Sequence, residues 1–279
     1  MSLTALPVEL YLQILEDTPL SGLRSLTLTC RKLRPLADEE MYSRGIAADK
    51  VRGMPFALAD AAVSNQIRPF KALLDRTELR FLMRPTFDKT RRLPSRLESL
   101  PKENPRIYHS GGLIHFVSML GREEMVKLVL EKYAESSERY GYQTPYQLIY
   151  DNSPYYTPFL CAVRAGHVGV MRLLLDAGAS VNETVRTPNQ FQERAIDIAV
   201  SCHQAAAVKL LLDEGVDVTL LALARVSNAD RDIAQLLVEA GPVMIEKAIA
   251  ASTQREPDRV LPSIGYLKLF LRDRGEILG

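Results

Sequence analysis

Acid–base or metal chemistry in this chain would have to start from His109, His115, His167 and His203, and these fall in separate segments with no second ligand at helical spacing. Zinc needs clustered cysteine and histidine, and neither a Cys-x-x-Cys nor a His-x-x-x-His pattern occurs. A glycine-rich phosphate loop and a nucleophile elbow are also missing from the sequence. Cys30, Cys161 and Cys202 are odd in number and scattered, which points to reduced, core-packed thiols rather than a disulfide framework. Asp232, Glu239 and Glu246 recur at sevens and are expected on solvated helix surface. The expectation is a protein that binds rather than catalyses, with no cofactor and no metal.

Side chains suited to binding are concentrated in three stretches. Residues 133–156 hold Tyr133, Tyr140, Tyr142, Tyr146, Tyr150, Tyr155 and Tyr156, seven of the eleven tyrosines. Tyrosine offers a large rigid contact with a hydrogen-bonding tip, so such a cluster reads either as a recognition surface or as a local minicore closing a long loop. From Arg80 to Arg106, eight basic residues stand against three acidic ones, and Pro85, Pro94, Pro101 and Pro105 deny the stretch a long helix. It reads as an insertion without regular structure, or as a basic site for an acidic segment of a partner. Nucleic acid is not expected there, because interleaved aromatics for base stacking are almost absent. Residues 186–194, with Asn189, Gln190, Phe191 and Gln192, form a shorter insertion.

The elements that must position these stretches are set by one repeating pattern. Thr157 to Asn182 reads TPFLCAVRAGHVGVMRLLLDAGASVN. Threonine before a helix accepts hydrogen bonds from orphan amides, and proline at the first helical position gives up no needed donor. Phe159, Cys161, Ala162 and Val163 then line a first helix. Gly166-His167 turns the chain into a second helix carrying Val170, Met171, Leu173, Leu174 and Leu175, and Gly178 ends it. A shift of 37 residues places Ala162 on Ala199, Leu173 on Leu210 and Gly178 on Gly215. A shift of 45 in the other direction places Gly166 on Gly121. ALADAAVSNQIRPFKALLD is a weaker copy with Asn65-Gln66 in the turn, and AQLLVEAG and YLKLFLRDRG close two further ones. A two-helix unit of this size cannot bury its own apolar face, so the copies must stack.

The Thr-Pro opening, the Gly-His turn, the leucine triplet and the closing glycine resemble the ankyrin repeat. Two departures stand out: Leu160 and Asp197 occupy the family's histidine position, and His203 replaces the glycine between helices, which points to a distorted turn in that copy. The resemblance implies an all-α helical solenoid over residues 53–279, with insertions at 80–110 and 133–156, and assigns His167 a structural hydrogen bond. It also implies that segments between one second helix and the next first helix project as fingers along the binding face. On that basis Tyr140, Tyr142 and Tyr146, with Phe191 on the next finger, are the expected contacts to an unknown target protein.

The first 45 residues follow a different pattern. LPVELYLQILEDTPLSGLRSLTLTCRKLRPLADEEMYSR places Leu6, Pro7, Leu10, Ile14, Leu23, Leu26 and Cys30 on short apolar stripes, with Pro19 shortening the first helix. This stretch resembles an F-box, although Ser21-Gly22 stands where an Asp-Leu pair is usual. The resemblance implies that those seven residues bind the Skp adaptor of a cullin-type ubiquitin ligase, while the array that follows selects the target. The alternative is a scaffold or inhibitor whose first helices only cap the stack, as every solenoid requires.

Composition bounds both readings. The 279 residues are 47% hydrophobic and 25% charged, as in ordinary globular proteins. No apolar run approaches the roughly 20 residues needed to cross a bilayer, and the first 17 residues lack a secretory pattern, so an intracellular, cytoplasmic or nuclear protein is expected. A formal net charge of +1 gives no global attraction to nucleic acid.

Overall fold

The computed structural model describes residues 8–29, 33–52, 56–82, 112–141, 146, 156–186, 192–226 and 230–240; there the chain is helical apart from one two-stranded hairpin. It divides into two units, Met1–Leu113 and Ile114–Gly279.

In the first unit α1 (Val8–Asp17) and α2 (Leu20–Thr29) are separated at Thr18-Pro19, the break expected from proline. α3 (Arg34–Arg52) packs against both. Their shared core is Leu15, Leu23 and Ala37, with Leu26, Leu36 and Met41 packed around it. α4 (Phe56–Val63) and α5 (Ile67–Arg76) form a helix pair that also packs on α3, followed by the single turn α6 (Leu79–Leu82). Asp49 of α3 accepts the Ala57 amide at 2.8 Å, and the Arg76 guanidinium pairs with Glu39 and lies 5.9 Å from the centre of the Tyr42 ring. α3 is thus the element common to the N-terminal helices and the first copy of the repeat. The boundary expected at residue 45 falls inside α3, because that helix runs unbroken to Arg52. The insertion expected from residue 80 likewise begins inside α6, where Leu82 is fully buried; residues 83–110 lie outside the described residues.

The second unit is built from helix pairs: α7 (Leu113–Met119) with α8 (Glu123–Tyr140), α9 (Pro158–Ala165) with α10 (Val168–Asp176), α11 (Ala195–Ser201) with α12 (Ala205–Asp213), and α13 (Leu220–Arg225) with α14 (Arg231–Ala240). Their connecting turns explain why the pattern repeats. The Gly166 amide donates to Val163 and the His167 amide to Ala162. The same two bonds join Gly121 to Ser118 and Arg122 to Val117, and join His203 to Val200 and Gln204 to Ala199. In the first unit they join Asn65 to Ala62 and Gln66 to Ala61. Each turn needs one residue in the left-handed region, and φ is +67° at Gly121, +74° at Gly166, +57° at His203 and +52° at Asn65. The turn at His203 is therefore undistorted, contrary to expectation: histidine accepts the strained φ and keeps both hydrogen bonds.

Second helices α8, α10, α12 and α14 pack in sequence, as do first helices α9, α11 and α13. Val170, Met171 and Leu174 of α10 and Val208 and Leu211 of α12 are fully buried, each contributing roughly 1.5–3 kcal/mol of transfer free energy. Between α10 and α11 the chain forms a hairpin, β1 (Thr184–Arg186) antiparallel to β2 (Gln192–Arg194), with Val185 opposite Glu193. The insertion expected at 133–156 starts later than its sequence suggests, because α8 continues to Tyr140 and buries Tyr133. Among the described residues no helix is long and apolar enough to cross a membrane. Residues 241–279, with the last expected copy, lie outside the described residues.

Candidate protein-interaction surfaces

In the first unit the candidate surface is one side of α1. Tyr11 and Leu15 turn inward and are buried, whereas Leu10 and Ile14, one turn apart, keep 42% and 41% of their surface exposed. Leu12 is 45% exposed on another side of the same helix. Leu10 and Ile14 thus leave two neighbouring aliphatic side chains partly in water on one side of α1, which makes that side the candidate contact surface. The helix is held in place at its carboxyl end, where the Arg44 guanidinium donates to the carbonyls of Leu15 and Thr18, both at 2.6 Å, and to that of Glu16. Glu40 fixes the guanidinium from the same helix at 2.6 Å. A cation on the last carbonyls of α1 also complements its dipole.

Of the seven residues assigned to adaptor binding, Leu10 and Ile14 are on this surface. Leu23 is not, since it is fully buried between Leu15 and Ala37; its apolar stripe belongs to the core of its own helices. Leu26 is partly buried against that core. Leu6, Pro7 and Cys30 lie outside the described residues.

In the second unit the expected target contacts separate. Tyr146 is buried, 3% exposed, rather than displayed: its hydroxyl accepts the Phe159 amide at 3.4 Å, and its own amide donates to Ala177. Burial pushes the Tyr133 and Tyr146 phenols up, with the Glu183 carboxylate adding to the effect on Tyr146. These two rings fill a core, so the minicore reading holds for them. Tyr140 ends α8, while Tyr142 and Phe191 lie outside the described residues.

Tyr156 stands apart, half-buried just before α9; burial raises its phenol, and Arg164 partly offsets this. Nearby on the first-helix side, Arg225 of α13 donates to Glu193 of β2 at 2.5 Å and to Ser201 of α11 at 2.8 Å, fastening the hairpin to two helices. Sequence reasoning missed Arg225 and Glu193, which lie 32 residues apart and carry no shared pattern. The one sequence signal near them was the short insertion at residues 186–194, which did not point to a hairpin.

The polar residues at the repeat junctions are structural. His167 Nε2 donates to the Met119 carbonyl at 2.9 Å, the bond expected of it, and its ring lies against Gly121 of the preceding turn. His203 Nδ1 meets Asp230 at 2.7 Å. Thr157 caps α9 through the Leu160 amide, and Thr219 caps α13 through the Ala222 amide. Asp197, at the position where ankyrin repeats carry histidine, accepts the Arg194 amide and the Thr219 hydroxyl. Cys161 is fully buried and its thiol is pushed up to about 12 by burial, so it is inert as a nucleophile. Among the described residues no three His, Cys, Asp or Glu side chains come close enough to share a metal ion.

The turns, closures and stacking of the second unit coincide with a sequence match to the family model for ankyrin repeats, in three copies over residues 114–222. Residues 114–222 are ankyrin repeats. No curated protein matches the chain in sequence. Among solved structures, the chain is similar to the human ASB11 ankyrin repeat domain, at 14% identity over 76% of this chain and 82% of that one, with a TM-score of 0.41. Ankyrin repeats bind proteins through the surface of the stack, so a protein partner follows for this array.

Proposed function

We propose that this chain is the target-selecting subunit of a cullin-type ubiquitin ligase, with α1 docking a Skp-type adaptor and the ankyrin repeats holding the protein to be modified. It holds partners and performs no chemistry itself, and it works inside the cell, in cytoplasm or nucleus, where such ligases act. The observation that carries the reading is the exposure of Leu10 and Ile14 on α1, while the remaining stripe of that helix is used for its own core. An F-box-like sequence supplies the kind of partner such a stripe meets. A residue that serves as an interface anchor costs about 2 kcal/mol or more when truncated, roughly thirtyfold in affinity.

A second reading has its own support. α3 packs on α4 and α5, so the N-terminal helices also cover the first copy of the repeat as a cap would. In that case the chain is a scaffold or inhibitor. Co-purification with the adaptor separates the two. The full chain should retain adaptor, and the Leu10→Ala/Ile14→Ala variant should lose it at unchanged helicity. Absence of adaptor from the wild type, or full retention by the variant, would leave only the cap.

A further inference from the structure

The break between α1 and α2 is held from three directions through one residue, Thr18. Its hydroxyl donates to the Ile14 carbonyl, one turn back in α1. Its own carbonyl accepts the Arg44 guanidinium of α3 at 2.6 Å. Its methyl group faces Gly22 of α2 so closely that a Cβ there would lie 2.7 Å from the methyl carbon. The Pro19 ring stands 3.7 Å from the same point. Thr18 has no free rotation with which to yield, because swinging the methyl aside to another staggered position also takes the hydroxyl off Ile14. Gly22 belongs to the Ser21-Gly22 pair that departs from the F-box pattern, and its missing side chain is what lets the break sit this close to α2.

We propose that Thr18, Gly22 and Arg44 form a latch that sets the direction of α1, which makes Gly22 and Arg44 positioning residues for the Leu10 and Ile14 surface. The inference rests on that surface being the adaptor contact proposed above. Tyr11 and Leu15, the buried side chains among those described in α1, are one turn apart. Two anchors on one line fix which side of a helix faces the core but leave its tilt to whatever holds its ends. At the carboxyl end that hold is Arg44, which donates to the carbonyls of Leu15 and Thr18 at 2.6 Å and to that of Glu16, while Glu40 takes its Nε at 2.6 Å. These carbonyls belong to the end of α1, where helical partners run out, and a charged donor makes the stronger kind of hydrogen bond with them.

A partner that takes Leu10 and Ile14 together must meet α1 at one angle. Where only a fraction of molecules hold that angle, the apparent affinity falls by the same fraction. Removing the Arg44 bonds, or pushing Thr18 away from α2, is therefore expected to weaken adaptor binding by about tenfold with both contact side chains unchanged.

The test measures the direction of α1 and the affinity separately, in the full chain. Nitroxides on unnatural keto side chains at Gln13 of α1 and Lys71 of α5, both exposed positions, give a distance distribution by pulsed electron paramagnetic resonance; a pair at Ala47 of α3 and Lys71 is the control. The Gln13–Lys71 distribution should be narrow in the wild type. Arg44→Met, which keeps the apolar stem and removes the donors, should shift or broaden it, and so should Gly22→Ala, with the Ala47–Lys71 control unmoved in both. Thr18→Ser/Gly22→Ala should restore it, because serine lacks the methyl and keeps the hydroxyl and the carbonyl. Titration with purified Skp-type adaptor should follow the same order, about tenfold weaker in each single variant and close to wild type in the double. A residue that contributes only stability would lower the melting temperature and leave the Gln13–Lys71 distances alone. Unmoved distances in either single variant, no recovery in the double, or altered distances at unchanged affinity would each overturn the proposal. If Arg44→Met does not fold, Gly22→Ala and its recovery decide. A wild type that binds no adaptor overturns the adaptor reading instead, and the distances then decide the latch by themselves.

Discussion

Gly121 and His167 show how much of this array rests on single positions. Gly121 has φ +67°, and a Cβ there would lie 2.6–2.8 Å from the ring atoms of His167, which is itself held by the Met119 carbonyl. Gly215 has φ +83°, but a Cβ there would meet nothing within 4 Å. Alanine at either position incurs the left-handed backbone penalty of about 1–2 kcal/mol. Only at Gly121 must a neighbouring ring also move and give up its bond across the repeat junction. Gly121→Ala is therefore expected to destabilise the second unit by about 1 kcal/mol more than Gly215→Ala, the net worth of one hydrogen bond. Urea titration of both variants, followed by helical signal, measures the difference, and equal midpoints would count against a structural role for His167.

At the level of the helices, the N-terminal stripes look alike in sequence and do opposite things. Leu10, Ile14, Leu23 and Leu26 are all aliphatic residues at helical spacing, yet Leu23 is fully buried and Leu10 is 42% exposed. Leu23→Ala removes a core side chain wedged between Leu15 and Ala37, with an expected cost of about 2–5 kcal/mol. Leu10→Ala should cost under about 1 kcal/mol, because much of its surface is already in water. Thermal unfolding of the two variants checks this contrast. A large loss from Leu10→Ala would mean that α1 is packed on both sides, leaving no surface for a partner. Arg44 belongs to the same scale, since it secures the α1 carboxyl end through three carbonyls.

Among the described second helices of the second unit, packing runs from neighbour to neighbour: α8 with α10, α10 with α12, α12 with α14. Stability in such an array is approximately a sum of repeat and interface contributions, so damage should spread outward from its origin. Leu174→Ala in α10, where Leu174 is fully buried, is expected to cost about 2–5 kcal/mol. Amide exchange should accelerate most in α10, less in α8 and α12, and least in α14. Uniform acceleration through all four helices would instead describe one globular core.

The sequence by itself determined the repeat unit. Thr157-Pro158, the turn at Gly166-His167 and the glycines at 178 and 215 are local signals, each answering a backbone requirement satisfied within a few residues; their helices stand where the spacing puts them. Tolerance of the turn was less legible: Asn65 and His203 hold the left-handed conformation that glycine marks elsewhere, because two backbone hydrogen bonds offset the strain. Only the tertiary structure decided which apolar and aromatic side chains face inward. Tyr146 lies 13 residues from Phe159 and 37 from Glu183, and its burial depends on contacts with both, which no local pattern encodes. The same holds for Leu23 against Ala37 and for the Arg225–Glu193 pair. Periodicity states that a face is apolar; what covers that face is settled by chain segments that meet only after folding.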